Sequence, residues 1–328
     1  MDFSKLAGLA SGYAEARAIQ AAVELRLFDA LDQSRDAGGV AHMIKTDARA
    51  TELLLDALSS IGLLSKSGAI YSLNETSATY LTVRSPKYLG GMMSFDAATW
   101  GSWEKLAETV RTGKPARTPD MYQNGADDTE RFISAMDSLV RARGDAELVV
   151  ENFDLTGVET LIDVGSGPGT YPIHFCRKYA SLKATIFDLP GTLRVTERFV
   201  RDAGLGDRIR LVAGDYRNDA IPGEYQTAFL SNIIHSEGEA VNAALMSKVY
   251  GVLRAGGRIV IKDHILDATH TQPGSGAVFS LLMLLTTEQG KCYSYSEVKD
   301  WLAAAGFKDV REIELPPPLT SSLVIGTK

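Results

Sequence analysis

A chain of 328 residues, 45 % hydrophobic and 23 % charged, has the composition of an ordinary globular protein and enough length for one large domain or two smaller ones. Its net charge of −7 offers no overall attraction to a phosphate backbone, which points away from nucleic acid as a partner. The two cysteines, Cys176 and Cys292, lie far apart and in no metal-ligand spacing, so no disulfide framework and no metal site are expected, and a reducing cytoplasm is the expected compartment.

The first ten residues show no apolar run behind a basic cluster, so no signal peptide is expected. Ile19, Val23, Leu27 and Leu31 then recur every fourth residue with Phe28 beside them, which predicts a helix with one apolar face. That segment is rich in alanine (Ala14, Ala16, Ala18, Ala21, Ala22), which favours helix and close helix–helix approach. A second helix is predicted through Leu53, Leu54, Ala57, Leu58, Ile61 and Leu64, with Gly62 near its end. Lys66-Ser67-Gly68 then makes a turn between Leu63-Leu64 and Ile70-Tyr71-Ser72-Leu73. Two helices followed by a hairpin outline a winged helix. Such a fold either reads DNA or serves packing and dimerisation. Lys45, Arg49 and Lys66 are interspersed with Asp47, Glu52 and Asp56, whereas a DNA reader needs a concentrated basic face. An apolar, alanine-rich helix fits a subunit interface better.

Residues 92–150 read as helices joining the two parts of the chain. Trp100, Trp103, Leu106 and Val110 are predicted to share a face, as are Phe132, Met136 and Leu139, with breaks at Gly113, Pro115 and Pro119. From residue 158 short β-rich runs alternate with helical segments. The runs are Thr160-Leu161-Ile162-Asp163-Val164, Ala184-Thr185-Ile186-Phe187, Ile209-Arg210-Leu211-Val212, Thr227-Ala228-Phe229-Leu230 and Arg258-Ile259-Val260-Ile261. This alternation predicts a doubly wound α/β domain, a parallel sheet with helices on both faces. The most apolar stretch, residues 278–285, is too short to cross a bilayer. Two last runs, 310–315 and 322–325, are separated by Pro316-Pro317-Pro318 with no room for a helix, so they should pair antiparallel at the sheet edge. The domains are expected at 1–92 and 93–328, with 93–150 as a helical connector over the substrate.

The first strand of the α/β part runs into Asp163-Val164-Gly165-Ser166-Gly167-Pro168-Gly169-Thr170. Glycine at every second position lets backbone approach a ligand closely, and the helix that follows aims its N-terminus at the same point. The spacing is not the G-x-G-x-x-G of dinucleotide sites, and on its own it is equally a tight structural turn. Asp188 closes the second strand and Asp215 the third, inside Gly214-Asp215-Tyr216. Each acid alone reads equally well as a cap or turn residue. Together at successive strand ends, they fit an adenosine without phosphate: Asp188 on the ribose hydroxyls, Asp215 on the exocyclic amine, Tyr216 against the ring.

These motifs, with His235 just past the fourth strand, resemble the small-molecule O-methyltransferases of the plant caffeate and hydroxyindole type and the bacterial enzymes of aromatic natural-product pathways. The resemblance extends over nearly the whole chain: the winged-helix part, Arg111-Thr112-Gly113, Phe132-Ile133-Ser134-Ala135-Met136 and Ala303-Ala304-Ala305-Gly306-Phe307. It implies a seven-stranded, mostly parallel class I methyltransferase sheet, an N-terminal all-helical winged-helix dimerisation domain, a homodimer, and S-adenosylmethionine as cofactor. The cofactor would be held by Gly165, Asp188, Asp215 and Tyr216, with Asp163, Gly167, Gly169, Leu189, Gly214, Ser231 and Asn232 beside them. His235 would be the general base on an acceptor hydroxyl, and Asp263 the acid that steadies it. A neutral imidazole suits that task, its reference pKa being about 6.5 against about 10 for a phenol. His42, His174 and His270 read as structural.

Trp100, Trp103, Phe132, Met136, Phe279 and Met283 are candidates to line a pocket for a flat apolar acceptor, although helix core is the commoner role for such residues. The resemblance favours Phe132 and Met136. The chain departs from the family's usual pattern at Ser231, at His235-Ser236-Glu237 and at Cys292, where a basic residue, His-Asp-Trp and a second acid are frequent. Those departures leave one alternative, the same fold methylating carbon or doing non-methylating chemistry (decarboxylation, hydroxylation or cyclisation) with bound S-adenosylmethionine; the winged-helix outline leaves a more distant one, a DNA-binding regulator.

Overall fold

In the computed structural model, which describes residues 1–118, 123 and 125–328, the chain forms two units, residues 1–99 with 134–142 and residues 100–133 with 143–328. Pro119 lies outside the described residues.

The first unit opens with α1 (Phe3–Glu24), capped by the Asp2 side chain on the Lys5 N–H. The fourfold apolar row outlasts this helix. Arg26 turns left-handed at φ +58, its N–H reaches Val23 O and the Leu27 N–H reaches Ala22 O, which closes the helix in a Schellman motif. Leu27, Phe28 and Leu31 therefore enter the core from the turn and a short 3-10 helix at residues 29–31, not from the helix face. There follow β1 (Arg35–Asp36), α2 (Ala37–Ile44), α3 (Ala48–Ser60), β2 (Leu64–Ser67), β3 (Ile70–Leu73), α4 (Glu75–Tyr80) and α5 (Gly90–Ala98). The hairpin is present, and β1 joins it in the order β1-β3-β2, so this unit is helical with a three-stranded wing rather than all-helical. Two residues of strand are too short for any period to show. On α3 the buried side is Thr51, Leu55 and Leu58; Leu53 is 57 % exposed and Leu64 belongs to β2. Along the first half of α1, Phe3, Leu6, Leu9 and Tyr13 are exposed.

The second unit holds α6 (Trp100–Trp103), α7 (Leu106–Thr112) and the start of α8 (Ala126–Arg143), then α9 (Asp145–Asn152). Val110 is 64 % exposed, because the side of these short helices that turns inward carries Ser102 and Thr109. The sheet is built from β4 (Thr160–Val164), α10 (Thr170–Lys178), β5 (Lys183–Asp188), α11 (Pro190–Asp202), β6 (Ile209–Ala213), β7 (Tyr225–Ser231), α12 (Glu239–Val252), β8 (Leu253–Asp263), α13 (Gly274–Thr286), α14 (Tyr295–Ala305), β9 (Lys308–Glu314) and β10 (Ser322–Thr327). Its order is β6-β5-β4-β7-β8-β10-β9, with β4 to β8 parallel and β10 antiparallel to both its neighbours. The proline-linked last pair thus forms the expected antiparallel hairpin, with β9 outermost. Strands β4, β7 and the second half of β8 are buried almost throughout, which explains their continuous apolar runs. The strand order reverses between β4 and β7, and that switch opens a crevice at their carboxyl ends. No helix among the described residues is long and apolar enough to cross a membrane.

Candidate active site

The crevice begins at the turn after β4. Gly165, Gly167 and Gly169 take φ of +69, +61 and +77. At Gly165 the constraint is also spatial: a Cβ would stand 2.3 Å from Ile233 Cδ1 and 3.7 Å from Tyr216 Cε1. The positive φ is what calls for glycine here, and a side chain would also have to push back the tip of Ile233 in the loop after β7. Asp188, at the end of β5, accepts from the Gly167 N–H at 2.8 Å and from the Leu189 N–H at 2.7 Å, so it ties the glycine turn to the neighbouring strand. Burial pushes its carboxyl up to about 6 despite those two donors. Asp163 is wholly buried in β4. One of its oxygens accepts from the Ser166 hydroxyl at 2.6 Å; Oδ1 has no partner among the described residues. Burial pushes Asp163 up to about 7, against the Ser166 hydrogen bond and with help from the charge of Asp188. Asn232, past the end of β7, adopts the left-handed φ of +56, fixed by its N–H on Lys262 O at 2.8 Å, and its Oδ1 is likewise buried without a partner. A residue of this kind in left-handed backbone marks a site whose surroundings enforce it.

Acceptor atoms without donors and two acids kept partly protonated by burial fit a ligand that brings positive charge and N–H and O–H groups, as S-adenosylmethionine does through its ammonium, sulfonium and ribose. They leave a mark on stability. An aspartate whose folded pKa is raised destabilises the fold most when ionised, above that pKa, and the cost fades as pH falls toward its unfolded value. Asp163→Asn is therefore expected to raise the melting temperature of the ligand-free protein by a few degrees at pH near 8, by less at pH 5 and by almost nothing only once the pH falls below about 4, and to weaken S-adenosylmethionine binding. A variant less stable than the parent at the higher pH would remove this account of Asp163.

The loop after β6 supplies Gly214, Asp215 and Tyr216. Both Asp215 oxygens already accept, from the Arg217 side chain at 3.1 and 3.3 Å, the Arg217 N–H at 2.9 Å and Asn218 Nδ2 at 2.9 Å. Burial works to raise this carboxyl, but those donors outweigh it and hold it below the usual range. Asp215 is thus a turn residue as the sequence reading allowed, and an adenine amine would share an occupied acceptor. The Tyr216 hydroxyl donates to Glu237 Oε1 at 2.6 Å, linking the loop to the segment that carries His235. The Lys248 ammonium donates to the carbonyls of Tyr216, Arg217 and Asp219 at 2.8 to 3.0 Å and fixes the loop from below.

His235 lies on a 3-10 turn, residues 234–236, following β7 and is 7 % exposed. Its Nδ1 is 2.7 Å from Asp263 Oδ1, and its backbone N–H points to Asp263 Oδ2 at 3.4 Å. Asp263 ends β8, 1 % exposed; burial works to raise it, but the imidazole of His235, with His264 adding, holds the carboxyl below its ordinary value. An ionised carboxylate only accepts, so the shared proton sits on His235 Nδ1 and Nε2 keeps its lone pair. Phe279 on α13 packs edge-on against His235, ring centroids 4.9 Å apart at 89°.

Of the other expected acceptor contacts, Met283 is one turn further along α13 and 7 % exposed. Trp100 and Trp103 are half-buried on α6, which packs against α13. Phe132 and Met136 are half-buried on α8, whose more deeply buried positions are Ile133, Ala135 and Asp137. Cys292 is 1 % exposed and burial pushes its thiol up to about 12, so it does not take over the work of an acid. Ser231 pairs in register with Lys262, and that lysine, unassigned from sequence, is 1 % exposed and 3.1 Å from the fully buried Asp145, which Arg143 also grips at 2.7 and 2.8 Å. A lysine inside the apolar run of β8 was its only sequence signal. His264 is the second unassigned residue at the site.

A family model for the O-methyltransferase domain matches residues 103–308, and one for the O-methyltransferase dimerisation domain matches residues 7–83. The chain is 31 % identical to 3-hydroxy-5-methyl-1-naphthoate 3-O-methyltransferase of Streptomyces sahachiroi, over 98 % of this chain and 94 % of that protein. It is 30 % identical to the tetracenomycin polyketide synthesis 8-O-methyl transferase TcmO of Streptomyces glaucescens, over 95 % and 93 %. Among solved structures, that of PigF with SAH, from a Serratia strain, superposes with a TM-score of 0.91 at 26 % identity over the full length of both chains. Sheet order, glycine turn and both family models agree: the chain belongs to the S-adenosylmethionine-dependent O-methyltransferases that carry an N-terminal dimerisation domain.

Proposed function

We propose that this protein methylates a phenolic hydroxyl of a small aromatic or polyketide-like acceptor, with His235 as general base and Asp263 holding it. The observation that carries the reading is the buried His235–Asp263 pair at the ends of two adjacent strands, β7 and β8, beside the glycine turn of β4. Bound S-adenosylmethionine supplies an electrophilic methyl group. The chain's own work is to place the acceptor oxygen in line and to take its proton at His235 Nε2. Asp263 then faces an imidazolium and stabilises it. Phe279, against the imidazole, offers an apolar face to a flat ring. The naphthoate and tetracenomycin substrates in the names of the relatives support such an acceptor. The exposed apolar row on α1, Phe3, Leu6, Leu9 and Tyr13, within the matched dimerisation segment for the last two, supports burial against a second copy of this chain.

The test is a panel of phenols, naphthols and hydroxyquinones incubated with purified protein and S-adenosylmethionine. The expected product has gained the mass of one methylene at oxygen, with demethylated cofactor formed in equal amount. A product methylated at carbon, or changed without consumption of cofactor, would replace this reading.

A further inference from the structure

Asp263 organises two histidines. His264 follows it directly and donates its backbone N–H to the same Oδ1, at 2.7 Å, that His235 Nδ1 meets. Its ring turns to Phe279, with centroids 4.8 Å apart, and stands 6.4 Å from the ring of His235. Phe279 is thus flanked by both imidazoles. Each has one nitrogen engaged by protein: His235 Nδ1 by Asp263, and His264 Nδ1 by a long 3.4 Å contact to the Thr320 hydroxyl. Neither Nε2 meets a partner among the described residues. Burial pushes His264 down to about 4; Asp263 opposes this, while His235, Lys262 and Arg143 work in the same direction as burial. The ring is therefore neutral at any working pH near 7. It takes no proton in place of His235, but it has a hydrogen bond to give.

We propose that His264 is a specificity-determining residue of the acceptor site, whose Nε2 hydrogen-bonds a second oxygen of the acceptor while the hydroxyl to be methylated sits at His235 Nε2. With hydrogen bonds about 2.8 Å long, two rings 6.4 Å apart reach two oxygens on one aromatic skeleton, ortho, meta or peri to each other. Only the naming of the first oxygen rests on the methyl-transfer reading; the second contact is a property of binding.

Calorimetry on protein saturated with S-adenosylhomocysteine, using α-naphthol and its peri-hydroxylated counterpart, tests it. The parent protein is expected to bind the dihydroxy compound about 3- to 10-fold more tightly, the worth of one neutral hydrogen bond. His264→Phe should abolish the preference by weakening the dihydroxy compound alone, and His264→Gln should restore part of it, with S-adenosylhomocysteine affinity unchanged in both. A parent that binds both compounds equally or neither, a preference that survives His264→Phe, or equal losses for both compounds overturns the proposal. Product analysis on parallel samples supplied with S-adenosylmethionine instead separates the two ideas: a preference without methylated product overturns the methyl-transfer reading and leaves the His264 contact standing, and methylated product without a preference does the reverse.

Discussion

His235→Ala is expected to lower turnover by about 10²- to 10⁴-fold, the range for removal of a positioned general base, while S-adenosylmethionine binds as before. The two effects separate because, among the described residues, the imidazole and the cofactor cleft share no hydrogen bond. The glycine turn is tied by Asp188, and the loop after β6 by Lys248 and by Tyr216 on Glu237; His235 takes part in none of these contacts. What alanine removes is the acceptor of the phenolic proton. Without it the hydroxyl must lose its proton to water, at its own pKa of about 10. The loss should therefore shrink as the acceptor is made more acidic, and a nitrophenol should lose least. Single-turnover rates with an acidity series, beside calorimetry for the cofactor, measure both parts. Turnover equal to the parent's on the least acidic acceptor would end the base role.

The parts of this site that were legible in sequence are those made by local rules. A strand followed by glycines at alternate positions is free to turn through positive φ, and Gly165, Gly167 and Gly169 all do. Histidine just past a strand of an open sheet has its address fixed by topology, and so does an acid ending the next strand. The parts that were not legible depend on register and on contacts distant in sequence. Nothing local says that Ser231 lies opposite Lys262, or that Asp145 would bury itself against that lysine. Nothing local gives His264 a role beside Asp263, and only the packing of α13 brings Phe279 into contact with both rings. In the first unit the apolar period continued through the end of α1, since residues that cap a helix and residues on its face bury the same kind of side chain.

Asp263→Asn should cost less than His235→Ala, and the reason lies in how many donors face the carboxylate. Oδ1 receives His235 Nδ1 and the His264 N–H, each at 2.7 Å; Oδ2 receives only the His235 N–H, at 3.4 Å. An asparagine has one oxygen and one NH₂. It keeps both short bonds by placing its oxygen at the Oδ1 position and turning the NH₂ toward the weaker donor. The imidazole then retains its tautomer and orientation, and what disappears is the negative charge that faces it once it has taken a proton. A charge-assisted hydrogen bond contributes about 1.5–3 kcal/mol, so turnover should fall about 10- to 100-fold. Asp263→Ala removes the acceptor as well and frees the ring to rotate, so its loss should approach that of His235→Ala. The pair acts as one unit, and such units are not additive. In the His235→Ala background, Asp263→Asn should cost almost nothing further, because no imidazolium remains for the carboxylate to stabilise. A full 10-fold or larger additional loss in the double variant would mean that Asp263 acts elsewhere, through the His264 N–H or the end of β8, and not through the base.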